Sequence, residues 1–175
     1  NLEPVPYEYQ QVILDEIKNY YLNNKIGKLI WPPGLGKTLM SLFIIKLLKY
    51  NNIIIGVPSI SLLKQWKEQI KRLFDYKILS IGSDINDTTD TIEISNFINN
   101  IRKRFIITTY SSCHLLKSYK FDFKIGDEAH RLVGIDEGEK TYKKFHEIQS
   151  NKILFMTATE KMCDDKKLKS DTSIS

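Results

Sequence analysis

The chain has 175 residues, 42% of them hydrophobic and 27% charged, with a formal net charge of +5. That length supports one well-filled core rather than two, and the composition is that of an ordinary globular domain. The longest apolar runs, LFII and IIIGV, are far too short to span a bilayer, the two cysteines form neither a metal spacing nor a disulfide framework, and the mild positive charge permits a polyanionic partner without requiring one.

Residues 6–22 read as a helix with Pro6 in its first turn and Val12, Ile13, Ile17, Tyr20 and Tyr21 on one face. KLIW (28–31) is a short strand that runs into a loop containing Gly34 and Gly36. Residues 38–49 are apolar nearly all round, which suits a helix buried from most sides. NIIIGV (52–57) is a continuous apolar run of strand length, the mark of a strand covered on both faces. Helical spacing returns over 61–73 through Leu62, Leu63, Trp66, Ile70 and Leu73. A strand at 77–81 leads into a polar loop with Asp84, Asp87 and Asp90, then a helix near 92–101 and a strand at 104–109. Arg102, Lys103 and Arg104 mark the solvent edge of that strand. FDFKIG (121–126) is a further strand, interrupted by Lys124, whose stem is expected to pack while its ammonium snorkels outward. A helix at 139–149 and a strand at 152–157 complete the domain, and the polar tail from Lys161 reads as a linker.

Strands alternating with helices imply right-handed crossovers around a mostly parallel sheet with helices on both faces, an α/β fold. Ligands in such sheets bind at the carboxyl ends of the strands. The loop WPPGLGKT (31–38) leaves such an end and enters a helix, and its last three letters fit the phosphate-loop pattern G-x-x-x-x-G-K-[ST], although Trp31 replaces the opening glycine. Backbone N–H groups across Gly34, Leu35 and Gly36 would face phosphate oxygens, Lys37 would reach the β and γ phosphates of ATP, and the Thr38 hydroxyl would ligate Mg2+. Asp127 and Glu128 close the FDFKIG strand. An acidic pair after a strand is commonly a solvated turn. Beside a lysine loop it supplies what ATP hydrolysis needs: Asp127 to hold magnesium, through water, and Glu128 to polarise the attacking water. Ends of parallel strands lie side by side, so Thr38 and Asp127 can share one metal.

The chain also resembles a known group. GDEAH (126–130), FMTAT (155–159), VPSISLLKQW (57–66), ITTYSS (107–112), PYEYQ (6–10) and Ile81-Gly82 are similar, in order, to the motifs of superfamily-two helicases and translocases of the DEAH type. The resemblance implies a RecA-like first motor domain over residues 1–160, with 161–175 beginning a linker to a second motor domain of the full-length chain. It further implies that Gln10 reads the adenine edge, that His130, Thr157 and Thr159 couple hydrolysis to movement, and that Ser59, Gly82 and Thr109 touch nucleic acid. The motif style is nearer to restriction-enzyme motors and DNA repair helicases than to RNA helicases of the DEAD type, so DNA is favoured over RNA, with no membrane partner. Departures are Trp31, Ser59 for the usual threonine, and Glu160 where proline often follows; none touches a phosphate or metal position.

Rival readings are a translocase that follows duplex DNA without separating strands, and a non-hydrolysing, ATP-gated nucleic-acid-binding module. Intact Lys37, Thr38, Asp127 and Glu128 argue against the second. A P-loop kinase would need an acceptor pocket and an arginine-rich lid, whereas arginine occurs only at 72, 102, 104 and 131. His130 has no second ligand at zinc spacing, and His114 and His146 read as ordinary polar residues. Lys64, Lys67 and Lys71 share one helical side, either a solvated face or a contact for the nucleic-acid backbone. Cys113 and Cys163 read as reduced thiols of a cytoplasmic or nuclear compartment, Asn1 in place of methionine as the start of a trimmed chain, and the abundance of Ile, Lys and Asn as the codon usage of an AT-rich, viral or parasitic genome.

Overall fold

The run NIIIGV forms β2 (Asn52–Val57), and the computed structural model, which describes residues 4–30, 36–128, 143–157 and 173–174, shows why it is apolar throughout. Its side chains alternate between two separate cores. Ile53, Ile55 and Val57 enter one, with α1 (Glu8–Asn23), α2 (Lys37–Leu48) and α3 (Ile60–Leu73) packed over them. Ile54 enters the other, beneath α4 (Thr91–Asn100), the 3-10 helix Tyr110–Leu116 and a helical segment at 143–147. Each such side chain, fully withdrawn from water, contributes about 1.5–3 kcal/mol.

The remaining strands are β1 (Ile26–Ile30), β3 (Lys77–Ile81), β4 (Arg104–Thr109), β5 (Lys120–Asp127), β6 (Gln149–Thr157) and β7 (Ser173–Ile174). They form one sheet in the order β3-β4-β2-β5-β6-β1-β7, and every pairing is parallel. All carboxyl ends therefore lie along one edge. The α/β, RecA-like architecture with helices on both faces is the one expected, and no helix among the described residues is long and apolar enough to cross a membrane. Two residues of the tail expected to be linker, Ser173–Ile174, pair with β1.

Several local expectations are corrected. The buried stripe of α1 is Gln10, Leu14, Ile17 and Tyr21, a clean helical spacing, whereas Val12 is 58% exposed. The hydroxyl of Tyr21 donates to the Ile153 carbonyl at 2.7 Å and ties this helix to β6. Arg104 is buried rather than at a solvent edge; its guanidinium donates to the carbonyls of Ile98 and Ile101 and closes the end of α4. Lys124 does not snorkel. It is fully buried, and its ammonium donates to the carbonyls of Phe145, His146 and Ile148 at 2.9, 3.2 and 2.7 Å, with the Phe145 ring 5.1 Å away. Burial, with the charge of Lys25 acting in the same direction, pushes its pKa down to about 8. The 3-10 helix Tyr110–Leu116 was not expected at all, since short turns of this kind carry no 3.6-residue periodicity.

Candidate functional site

Because the sheet is wholly parallel, Ile30 closing β1, Ser59 after β2, Gly82 after β3, Thr109 closing β4, Asp127 closing β5 and Thr157 closing β6 all reach the same edge. Gly36 stands before α2 with φ of +72°, the left-handed region that glycine enters without steric cost. The helix then opens on Lys37, followed in its first turn by Thr38, which is half-buried. Gln10 is buried at the start of α1; its Oε1 accepts from the Tyr7 N–H at 2.9 Å. A side chain on Gly36 would come within 3.9 Å of the Gln10 Nε2, so the two expected nucleotide residues are neighbours.

Lys37 Nζ lies 3.0 Å from Asp127 Oδ1 and also pairs with Glu128 Oε1. Burial acts to lower the pKa of this ammonium, but the charge of Asp127 and the hydrogen bond to Glu128 prevail and hold it above its ordinary value. Asp127 is 1% exposed, and its Oδ2 accepts from the Trp66 indole N–H at 2.8 Å. Among the described residues its Oδ1 has no hydrogen-bond donor; the contact with Lys37 there is ionic. A buried carboxylate oxygen beside a lysine, with the hydroxyl of Thr38 next in sequence to that lysine, is a chemically suitable ligand for a hard cation such as magnesium. Glu128 has φ of +52°, an unusual backbone state for a residue with a side chain.

The Tyr110 hydroxyl donates to the Asp127 carbonyl at 2.8 Å. Its ring meets Phe145 edge-on at 5.0 Å, and both rings fill the space that a side chain on Gly56 would need, at 2.6 and 2.5 Å. Sequence reasoning missed Trp66 and Tyr110 as neighbours of the site. Trp66 lies on the apolar stripe of its helix, so periodicity marks it only as core.

On the other side of the edge, Ser59 caps α3, its Oγ accepting from the Leu62 N–H at 3.3 Å. Gly82 and Thr109 are buried rather than presented on the surface. A side chain on Gly82 would stand 2.9 Å from Asp87 Oδ2 and 3.1 Å from Ile60 Cδ1, so close packing alone accounts for that glycine. Lys64 is not an isolated cation: it pairs with Asp84 at 3.0 Å and, with the Ile85 N–H, holds that carboxyl below its usual range. Lys71 lies 3.7 Å from Glu68. Thr157 is buried beside Ile30 in the sheet register. Cys113 is a buried thiol that burial pushes up to about 12, against the nearby Lys144 and Lys124, which keeps it unreactive. Trp31, Gly34, Leu35, His130, Arg131, Thr159, Glu160 and Cys163 lie outside the described residues.

Proteins with similar sequences or folds include a DNA translocase, probable helicases, a restriction-modification enzyme and an ATPase core. The DNA 3'-5' translocase XPB2 of Sulfurisphaera tokodaii is 31% identical over 115 residues, covering 64% of this chain and 23% of that protein. The probable helicase A859L of African swine fever virus, strain Badajoz 1971 Vero-adapted, is 30% identical over 139 residues, covering 71% of this chain and 16% of that one. The chain thus spans less than a quarter of the length of these curated relatives. A nuclease-deletion mutant of the Type ISP restriction-modification enzyme LlaGI, solved in complex with a DNA substrate mimic, matches with a TM-score of 0.77 at 25% identity, over 94% of this chain and 19% of that one. The SWI2/SNF2 ATPase core of Sulfolobus solfataricus, solved with dsDNA, shares the fold with a TM-score of 0.70 at 21% identity, over 91% of this chain and 33% of that one. The family model described as Type III restriction enzyme, res subunit, matches residues 3–162, and with nearly its whole length so matched the chain belongs to that family, as a first RecA-like domain of helicase type.

Proposed function

We propose that the chain is the ATP-binding motor domain of a DNA-dependent ATPase with two motor domains, which couples hydrolysis to movement along DNA or to separation of its strands. One observation carries this reading: Lys37, the first residue of α2, pairs with both Asp127 and Glu128 across the carboxyl edge of the sheet. Phosphoryl transfer needs a cation on the phosphates, a carboxylate for the metal and a group that orients water, and Lys37, Asp127 and Glu128 would supply them.

Lys37 would exchange its carboxylate partners for the β and γ phosphates, and Gly36 would let the loop backbone approach them. Thr38 and Asp127 would hold magnesium, which when bound neutralises charge on the phosphate oxygens. Glu128 would orient the attacking water and accept its proton. Gln10, beside Gly36, would read the adenine edge, while His130, Thr157 and Thr159 would relay the state of the nucleotide. Ser59 would lie along the path of the DNA backbone, with the buried Gly82 and Thr109 shaping that edge from beneath. The choice of DNA is supported by the DNA-bound structural neighbours and by the DNA translocase among the relatives. A second motor domain would supply the arginines that complete the site.

Lys37→Ala tests the assignment by calorimetry with ATP and Mg2+. The substitution removes a charge-assisted phosphate contact and is expected to abolish tight binding. Unchanged affinity would refute the nucleotide site.

A further inference from the structure

Trp66 lies fully buried on the apolar stripe of α3 with Leu63, Ile70 and Leu73. An indole so placed must find an acceptor for its single N–H, because leaving a buried donor unpaired is costly. The acceptor is a side chain, Asp127 Oδ2, at 2.8 Å. The two oxygens of that carboxylate are thereby divided. Oδ2 is held from α3, while Oδ1, without a hydrogen-bond donor among the described residues, faces Lys37 on α2 at 3.0 Å. A carboxylate turns about its last torsion in a broad, two-fold well, so its own rotamer preference does little to fix the plane. A charge-assisted hydrogen bond in a buried place does.

We propose that Trp66 is a positioning residue, whose indole N–H fixes the plane of the Asp127 carboxylate and keeps Oδ1 directed at the lysine and the metal. This deepens the nucleotide reading above and rests on it. Partners that orient a metal-holding carboxylate typically alter metal affinity 10–100-fold when removed. Ser59 opens the same helix, so α3 joins the proposed DNA edge to the carboxylate through one rigid element. The bland alternative is that Trp66 only fills the core and its N–H takes whichever acceptor is nearest.

Two changes separate these. Trp66→Phe keeps an aromatic ring and removes the N–H. Replacement of Trp66 by a benzothiophene analogue of tryptophan, in a Trp31→Phe background, keeps the bicyclic shape and removes only the N–H. The measurement is the Mg2+ concentration at half-maximal binding of a fluorescent ATP analogue, with thermal unfolding followed in parallel. Loss of the N–H is expected to raise that concentration about 10-fold or more, with nucleotide affinity close to wild type once Mg2+ is saturating. In the nucleotide-free chain, the indole signal that disappears in Trp66→Phe should shift in an amide-type NMR spectrum of Asp127→Asn.

If both variants keep the wild-type Mg2+ midpoint, or lose only thermal stability, Trp66 is a core residue and the inference fails while the nucleotide site stands. If the wild-type chain binds no ATP at any Mg2+ concentration, the site itself fails and the inference falls with it. Should Trp66→Phe not fold, the analogue decides.

Discussion

Glu128 occupies a left-handed backbone state that, among the described non-glycine residues, it shares only with Lys49. Such states cost about 1–3 kcal/mol and persist where the surroundings impose them, often at functional positions. Here the ion pair to Lys37 is one such constraint. Replacing Glu128 by Gln keeps the shape and removes the base. In the protein with both motor domains, ATP should still bind while turnover falls by roughly 100-fold or more; a steady-state ATPase assay beside a binding isotherm reads both. Equal turnover would mean that Glu128 is not the base. At Gly36 the argument is steric. With φ of +72°, any side chain is strained whatever room surrounds it. Gly36→Ala should cost about 1–2 kcal/mol in chemical denaturation and weaken ATP binding, because the backbone must leave the conformation that opens α2.

At the scale of elements, the buried ammonium of Lys124 holds the 143–148 segment to β5 through three carbonyls. The same segment carries Phe145, which packs on Tyr110, whose hydroxyl meets the Asp127 backbone. Lys124→Met fills the space but leaves those carbonyls without their donor. A loss of about 1–3 kcal/mol is expected in urea denaturation at pH 7. The pH dependence has a defined sign. The folded pKa, about 8, lies below the unfolded value, so between these the unfolded chain holds the extra proton. Stability from this group is therefore present at high pH and lost as pH falls through about 8. The wild-type advantage over Lys124→Met should widen by about 1 kcal/mol from pH 7 to pH 9. A gap that narrows would show that the carbonyl hydrogen bonds overcome burial and keep the lysine charged.

For the whole molecule, the half-site has its lysine and both carboxylates on one domain, and the described residues place no arginine against them. The 175-residue chain alone is therefore expected to bind ATP but hydrolyse it poorly, with DNA present or absent. An arginine supplied to the γ phosphate is worth on the order of 1,000-fold or more, so adding the second motor domain should restore turnover. Several turnovers per second from the isolated chain, an order of magnitude typical of whole enzymes, would contradict the two-domain mechanism. Contacts to DNA made through the backbone predict binding that weakens steeply with salt and depends little on sequence, read by fluorescence anisotropy across a salt series.

Much of this was legible in the sequence, for a physical reason. Hydrophobic period and length are local properties, so strands such as Asn52–Val57 and Arg104–Thr109 fall where their side-chain pattern puts them. The lysine loop and the acidic pair were also readable, since phosphate and metal chemistry demand particular residue types at the ends of parallel strands. Sequence could not reveal the partners of polar groups inside the core. Lys124, Arg104 and Trp66 each carry a long apolar body with a polar end, and periodicity reports the body alone. Where the polar end finds its partner depends on elements far away in the chain: Lys124 on carbonyls after residue 144, Trp66 on a carboxylate beyond residue 126. Those pairings exist only once the strands have taken the order β3-β4-β2-β5-β6-β1-β7, which brings α3 over the end of β5. The chemistry was written in residue types, and the tertiary structure decided which side chain aims it.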